Sequence, residues 1–264
     1  MIHGLGTMSI GEAATKLDAA SLAIADTIVD AIIKLELDHS RDMIARHGTM
    51  RYFVYPNGRA GSTFTHEFFP FDAPTDDAIQ FAQSLAGPSP HLITPMGQRI
   101  DTETGIYEAA GYEHVAEWTL MVRPLTERVS QPGDERAVLI EDAATEDRVV
   151  STILASGGSE HPTRSGHVAD PAIRQRWISD GGEPASFGRM VLLGNHAYLG
   201  DMATVPAYRR RGHAAAIMRS LLDDALAFGA TACVLASTAM AHGLYLRFGF
   251  RDVMPMVEFQ TRKG

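Results

Sequence analysis

Two segments of this chain read almost alike, and that repetition constrains its fold more than any other feature. One is Ile106-Tyr-Glu-Ala-Ala-Gly-Tyr112, continuing as Glu-His-Val-Ala-Glu-Trp-Thr-Leu-Met-Val122; the other is Leu244-Tyr-Leu-Arg-Phe-Gly-Phe250, continuing as Arg-Asp-Val-Met-Pro-Met-Val-Glu-Phe259. Tyr107 matches Tyr245, Gly111 matches Gly249 and Val115 matches Val253 in one register. Each segment reads as a short helix closed by Gly-aromatic and followed by a strand. Upstream of each lies a short apolar strand, His91–Thr94 or Cys233–Ala236, and before that a helix. The sequence thus predicts strand, helix, strand, helix, strand twice in the same order: an α/β chain with a mixed sheet, built as two copies.

The polar stretch 123–135, with Pro124, Pro132 and Gly133, marks the join. The domains expected are therefore 1–130 and 131–264. In the second, Ala137–Ile140 reads as a strand, and Asp147–Ala155 and Pro171–Ser179 as helices. Ala185–Leu193 and Ala197–Val205 read as strands paired around Gly194-Asn195-His196. The first begins with a long helical region, roughly Ile10–His47. Strands follow at Arg51–Tyr55 and Ser62–Phe69, then a helix at Asp76–Leu85 with Thr75 as its cap.

One helix start breaks two local rules. Val205-Pro-Ala-Tyr-Arg-Arg-Arg-Gly-His-Ala214 runs into an amphipathic stripe of Ile217, Met218, Leu221, Leu222, Ala225 and Phe228. Three arginines sit where the helix dipole is positive and carboxylates are preferred. A glycine lies in or near the first turn, at a cost of roughly 1 kcal/mol relative to alanine. An anion resolves both costs, because free helix amides bind anions, glycine lets a ligand reach the backbone, and arginine adds fixed charge.

The rest of the chain limits what that anion belongs to. Asp and Glu outnumber Lys and Arg by 32 to 23, a formal net charge of −9. That argues against a broad nucleic-acid surface, which needs a basic face, and suits a cationic substrate. The single cysteine, Cys233, sits in an apolar run and reads as a core residue with no intrachain disulfide. The N-terminus lacks a signal-peptide pattern, and no apolar run approaches the roughly 20 residues of a membrane span. A soluble, cytoplasmic protein with no membrane partner is expected. The histidines, His161 and His167 among them, lack metal-site spacing, so no metal is expected.

At these residues the chain resembles the GNAT superfamily, the Gcn5-related N-acetyltransferases. Their acetyl-CoA motif, Arg/Gln-x-x-Gly-x-Gly/Ala between a strand and a helix, matches Arg209-Arg-Arg-Gly-His-Ala214. Their later Leu-Tyr-x-x-x-Gly-Phe segment matches Leu244–Phe250. The resemblance implies that acetyl-CoA is the acyl donor and that a small-molecule or protein amine is the acceptor. It implies that the backbone amides of Arg210, Arg211, Gly212, His213 and Ala214 hold the pyrophosphate, with Arg209 near it; Arg211 stands where glycine is frequent in the family, and is tolerated if its side chain points outward. Backbone groups of Thr204 and Val205 would pair with the pantetheine arm, and the Val205 amide would stabilise the oxyanion. Tyr245 would protonate the departing thiolate. Asp201, on the strand leading to Val205, is the first choice for general base, with Glu183, His196 and His242 as alternatives. Thr238 stands near a position where many members carry asparagine.

The first half has no such loop. Asp76 and Asp77 open its helix, and two carboxylates repel a diphosphate, so this half reads as a degenerate copy. The expected function is N-acetyltransfer through a ternary complex. The alternatives are an acyl-CoA-binding regulator without turnover, and a scaffold whose first half recruits a partner; a homodimer is left open.

Overall fold

Alternating burial runs along one strand after another, and eleven of them join edge to edge. The computed structural model describes residues 18–36, 42–58, 63–71, 73–97, 100–157 and 165–262. The first half contains α1 (Ala19–Glu36), β1 (Met43–His47), β2 (Met50–Val54), β3 (His66–Phe69), α2 (Thr75–Ala86), β4 (His91–Ile93), α3 (Ile100–Ala109) and β5 (Tyr112–Pro124). The second contains β6 (Val138–Leu139), α4 (Ala143–Ala155), β7 (Ile173–Asp180), β8 (Glu183–Leu193), β9 (His196–Thr204), α5 (His213–Ala227), β10 (Ala232–Ser237), α6 (Ala239–Arg247) and β11 (Arg251–Thr261). The strand order is β1-β2-β3-β4-β11-β5-β10-β9-β8-β7-β6.

That order carries the halves across one another. β5 precedes the polar join, yet it lies between β10 and β11, pairing antiparallel with both. β11 in turn reaches back to β4. The sheet is continuous through the expected boundary. Leu120, Met121 and Val122 of β5 are buried, Leu120 and Val122 on the face covered by α1 and Met121 on the face covered by α5. Helix α1 also serves both halves. Ile24 and Ile28 pack with Phe53, Leu120 and Val234, while Ala31 and Leu35 pack on Ile173 and Val191.

Three local readings are corrected. Pro171–Ser179 is not helical: Ile173–Asp180 is β7, paired with β6 and β8. Its side chains alternate, with Ile173 and Gln175 buried on one face and Arg176 reaching Asp224 of α5 at 2.6 Å on the other. The helix expected to run to His47 ends at Glu36. Met43–His47 turns at Gly48-Thr49 and pairs with β2, because Gly48 takes φ +57° and closes a tight hairpin. The parts of that expected helix within residues 10–17 and 37–41 lie outside the described residues. Thr75 is the buried first residue of α2, and Pro74 holds the capping position.

At Gly188, a Cβ would stand 2.4 Å from Met202 Sδ and 2.7 Å from Ile217 Cγ2. The missing side chain is what lets α5 lie against β8 and fixes the helix start beside the end of β9.

Candidate functional site

Strands β9 and β10 begin side by side and then part. They pair in parallel only from Ala232↔His196 to Val234↔Tyr198, while β9 continues to Thr204 and β10 to Ser237. A gap opens between their far ends. On its other edge β9 carries a bulge: Phe187 pairs with Ala203 and Arg189 with Gly200, so Asp201 and Met202 together oppose Gly188. Asp201 takes φ +51°, a left-handed conformation uncommon outside glycine.

A buried network holds the bulge. Arg189, 1% exposed, places Nη1 2.7 Å from Asp201 Oδ2 and donates through Nε and Nη2 to Gln175 Oε1 at 3.1 and 2.9 Å. Its Nη2 also lies 3.7 Å from Glu146 Oε1. Burial raises the Glu146 carboxyl, but hydrogen bonds from Gln175 and from the His167 and Val168 amides more than offset this and hold it below its ordinary value.

Beyond β9 the chain turns tightly into α5. After a 3-10 turn at Pro206–Tyr208, Arg210 takes φ +63° and Gly212 φ +78°, and α5 starts at His213. The first helical bond runs from Ala216 N–H to the Gly212 carbonyl at 3.1 Å, so the amides of His213, Ala214 and Ala215 have no intrahelical acceptor. Left-handed residues alternating with others turn successive amides inward, a geometry that binds anions.

The arginines differ in their ties. Arg209 Nε donates to the Thr204 carbonyl at 3.2 Å. Arg211 turns onto Asp180 at 2.9 Å and over the Tyr208 ring. Arg210 makes no hydrogen bond among the described residues. Arg136 escaped the sequence reading: its Nη2 lies 3.5 Å from where a Gly212 Cβ would stand. Nothing local marks it, because it directly follows the polar join, at the end of the turn Asp134–Arg136. His213 is buried, with Nε2 3.2 Å from Asp180 and, among the described residues, no partner for Nδ1. The hydrogen bonds from Arg211 and His213 hold the Asp180 carboxyl below its usual value.

Several expected roles are corrected. The Val205 amide donates to the Ala185 carbonyl at 3.0 Å, so it is committed to β8 and does not point at an oxyanion. Successive strand amides face opposite edges, which turns the amide of Thr204 toward the gap. Asp201 faces Arg189, whose Nη1 donates to its Oδ2 at 2.7 Å. His196 lies at the start of β9, at the end where the strands are still paired, and meets Thr27 Oγ1 at 3.3 Å. Glu183 is exposed at the β7–β8 turn.

Tyr245 is only 6% exposed, packed with Met121, Cys233 and Leu235 and edge-on to Phe250. Burial pushes its phenol up to about 12, and the neighbouring Cys233 adds to the effect. Thr238 caps α6 by position, without a side-chain bond. A cavity of about 360 Å³ adjoins the end of β10, lined by Ser237, Ala239, Glu117, Thr119, Asp252 and Pro255 among others. The Nε2 of His242 meets Asp252 Oδ1 at 2.8 Å on its rim.

The matching strands of the first half stay zipped. β3 and β4 pair from His66↔His91 to Phe68↔Ile93. Beyond them, Thr94 N–H meets the Phe68 carbonyl at 2.7 Å, Met96 N–H meets that of Pro70 at 3.1 Å, and Phe71 bridges to Met96.

Comparison with known proteins agrees with this geometry. The family model for the acetyltransferase (GNAT) family matches residues 159–250. An Escherichia coli K12 protein named as an uncharacterized N-acetyltransferase, YedL, is 30% identical over 121 residues, covering 38% of this chain and 71% of that protein. A GCN5-related N-acetyltransferase from Kribbella flavida shares the fold with a TM-score of 0.69 at 13% identity, over 92% of this chain and 96% of that one. Another from Sphaerobacter thermophilus gives 0.55 at 14% identity, over 90% and 86%. No helix among the described residues is long and apolar enough to cross a membrane.

Proposed function

The chain belongs to the GNAT acetyltransferase family, and from that premise we propose that its second half transfers an acetyl group from acetyl-CoA to a primary amine. The observation that carries this reading is the strand gap leading straight to the amide cradle at Arg210–Ala215. A pantetheine arm fits the gap as an added strand, using the Thr204 backbone, and a pyrophosphate fits the cradle. Arg209, Arg210 and Arg136 supply the counter-charge.

The amine nitrogen attacks the thioester carbon, the carbon–sulfur bond breaks, and the amine's proton leaves to a base. We assign that base to His242, whose imidazole Asp252 orients at 2.8 Å beside the cavity. Tyr245 donates a hydrogen bond to the departing sulfur. Outright proton transfer from a phenol at about 12 to a thiolate of pKa near 8.5 is uphill by on the order of 5 kcal/mol. The first half is read as a copy without donor chemistry. Matching β1–β5 with β7–β11 makes the strand order the same from either edge once the extra edge strand β6 is set aside, and its β3–β4 gap is closed.

Calorimetry with acetyl-CoA tests the reading. One site per chain is expected, and Gly212→Asp should abolish it by setting a carboxylate beside the diphosphate. Unchanged affinity in that variant overturns the assignment. Thiol release on adding an amine panel separates an enzyme from a regulator that binds acyl-CoA without turnover.

A further inference from the structure

We infer that Asp201, Arg189 and Glu146 form a lock that holds the β9–β10 gap open, with Asp201 a positioning residue rather than the base. The inference rests on reading that gap as the acyl-donor slot. Asp201 is one of two non-glycine residues with positive φ in the described structure; the other, Arg210, shapes the cradle. Asparagine and aspartate adopt this conformation more readily than other non-glycine residues, and even they need a reason to stay in it. Here the reason is the 2.7 Å bond to Arg189, whose guanidinium is buried and tied by Gln175 and Glu146.

The consequence is geometric. The bulge adds a residue to β9 opposite Gly188, which bends and twists the strand just past its last pairing with β10. The first half provides an internal comparison. β2 and β3 pair from Arg51↔Phe69 to Val54↔His66 with no register shift, and there the next strand stays bonded to β3 as far as Met96. Bulge and open gap occur together, and so do regular register and closed gap. Glu146 extends the lock to the segment that leads into β7, through the amides of His167 and Val168.

Four variants decide it, Arg189→Met being the one that removes the buried charge outright. Asp201→Gly keeps the positive φ and removes the anchor. Asp201→Asn keeps both the conformational tolerance and an acceptor for Arg189. Arg189→Lys keeps a charge that can reach Asp201 but loses the fork to Gln175. In Asp201→Gly, acetyl-CoA affinity should fall about tenfold. Hydrogen exchange of a peptide spanning 199–205 should slow as the strands close, a change visible without any ligand. Asp201→Asn should keep kcat within about threefold, and Arg189→Lys should recover part of the affinity that Arg189→Met loses. A kcat loss of a hundredfold or more in Asp201→Asn, with acetyl-CoA affinity intact, overturns the lock and restores the base. So does an Asp201→Gly protein with unchanged exchange and affinity. If the wild-type protein binds no acetyl-CoA, the proposed function fails, and the exchange measurement still judges the lock.

Discussion

Asp180 accepts from Arg211 at 2.9 Å while Arg210, the preceding residue, points to no acceptor among the described residues. Two adjacent arginines of one motif therefore have different duties. Arg211 neutralises a carboxylate that also holds His213, and so braces the start of α5. In the proposed function, the charge of Arg210 is left for the diphosphate. Arg210→Ala is expected to weaken acetyl-CoA binding by roughly 1 kcal/mol, about fivefold. The loss should shrink in high salt, because exposed charges are screened. Arg211→Ala should change affinity less and lower thermal stability slightly. Calorimetry at two salt concentrations and a melting curve check both. An Arg210→Ala protein with wild-type affinity at low salt contradicts the division of labour.

How much of this was legible in the sequence depended on range. The Gly194-Asn195 hairpin, the α5 stripe and the cradle are local patterns, and each lies where periodicity and turn chemistry put it. The β7 segment, expected as a helix over Pro171–Ser179, is a strand. Its arginines at 174 and 176 alternate with buried Ile173 and Gln175, which is strand periodicity. The placement of β5 between β10 and β11 has no local signal, since partner choice between distant strands is not written in either strand alone. Arg189 carried a readable hint, a charged residue inside the apolar run Phe187–Leu193. A buried arginine needs a carboxylate, and Asp201 and Glu146 were available.

The crossing of β5 makes the two halves one folding unit. A fragment of residues 131–264 lacks the strand that pairs with both β10 and β11. It leaves unfilled the places of Leu120, Met121 and Val122, each worth about 1.5–3 kcal/mol when buried. Expressed alone, the fragment should show no cooperative thermal transition. Co-expression with residues 1–130 should restore one. A well-folded, acetyl-CoA-binding fragment contradicts this.

Stability should fall at alkaline pH. Burial pushes Tyr112, Tyr245 and Cys233 up to about 12, from 10.0, 10.0 and 9.0, and raises Tyr107 as well. The folded protein keeps these protons where the unfolded chain loses them. Above pH 9 the unfolded state thus binds fewer protons, and stability declines as pH rises. Cys233 should set the onset near pH 9, and the tyrosines should steepen it above 10. Melting temperatures from pH 8 to 11 measure the decline. Cys233→Ala should flatten the segment between 9 and 10; an unchanged slope there contradicts the assignment.

Tyr245 and Tyr107 occupy matching places in the two halves, both buried, at 6% and 1% exposure. Only Tyr245 sits in the half with an open gap and a cradle. Tyr245→Phe preserves the packing against Phe250 and removes one hydroxyl. If that hydroxyl donates a hydrogen bond to the leaving sulfur, kcat should fall about tenfold to a hundredfold, at the low end of acid–base effects because the phenol is a weak acid here. Acetyl-CoA affinity should hold. Tyr107→Phe, which keeps the stacking on Phe259 at 4.5 Å, should leave turnover nearly unchanged. Equal small effects from both would make Tyr245 a core residue alone. A large loss from Tyr107→Phe would move the chemistry to the first half, where the strands are zipped shut.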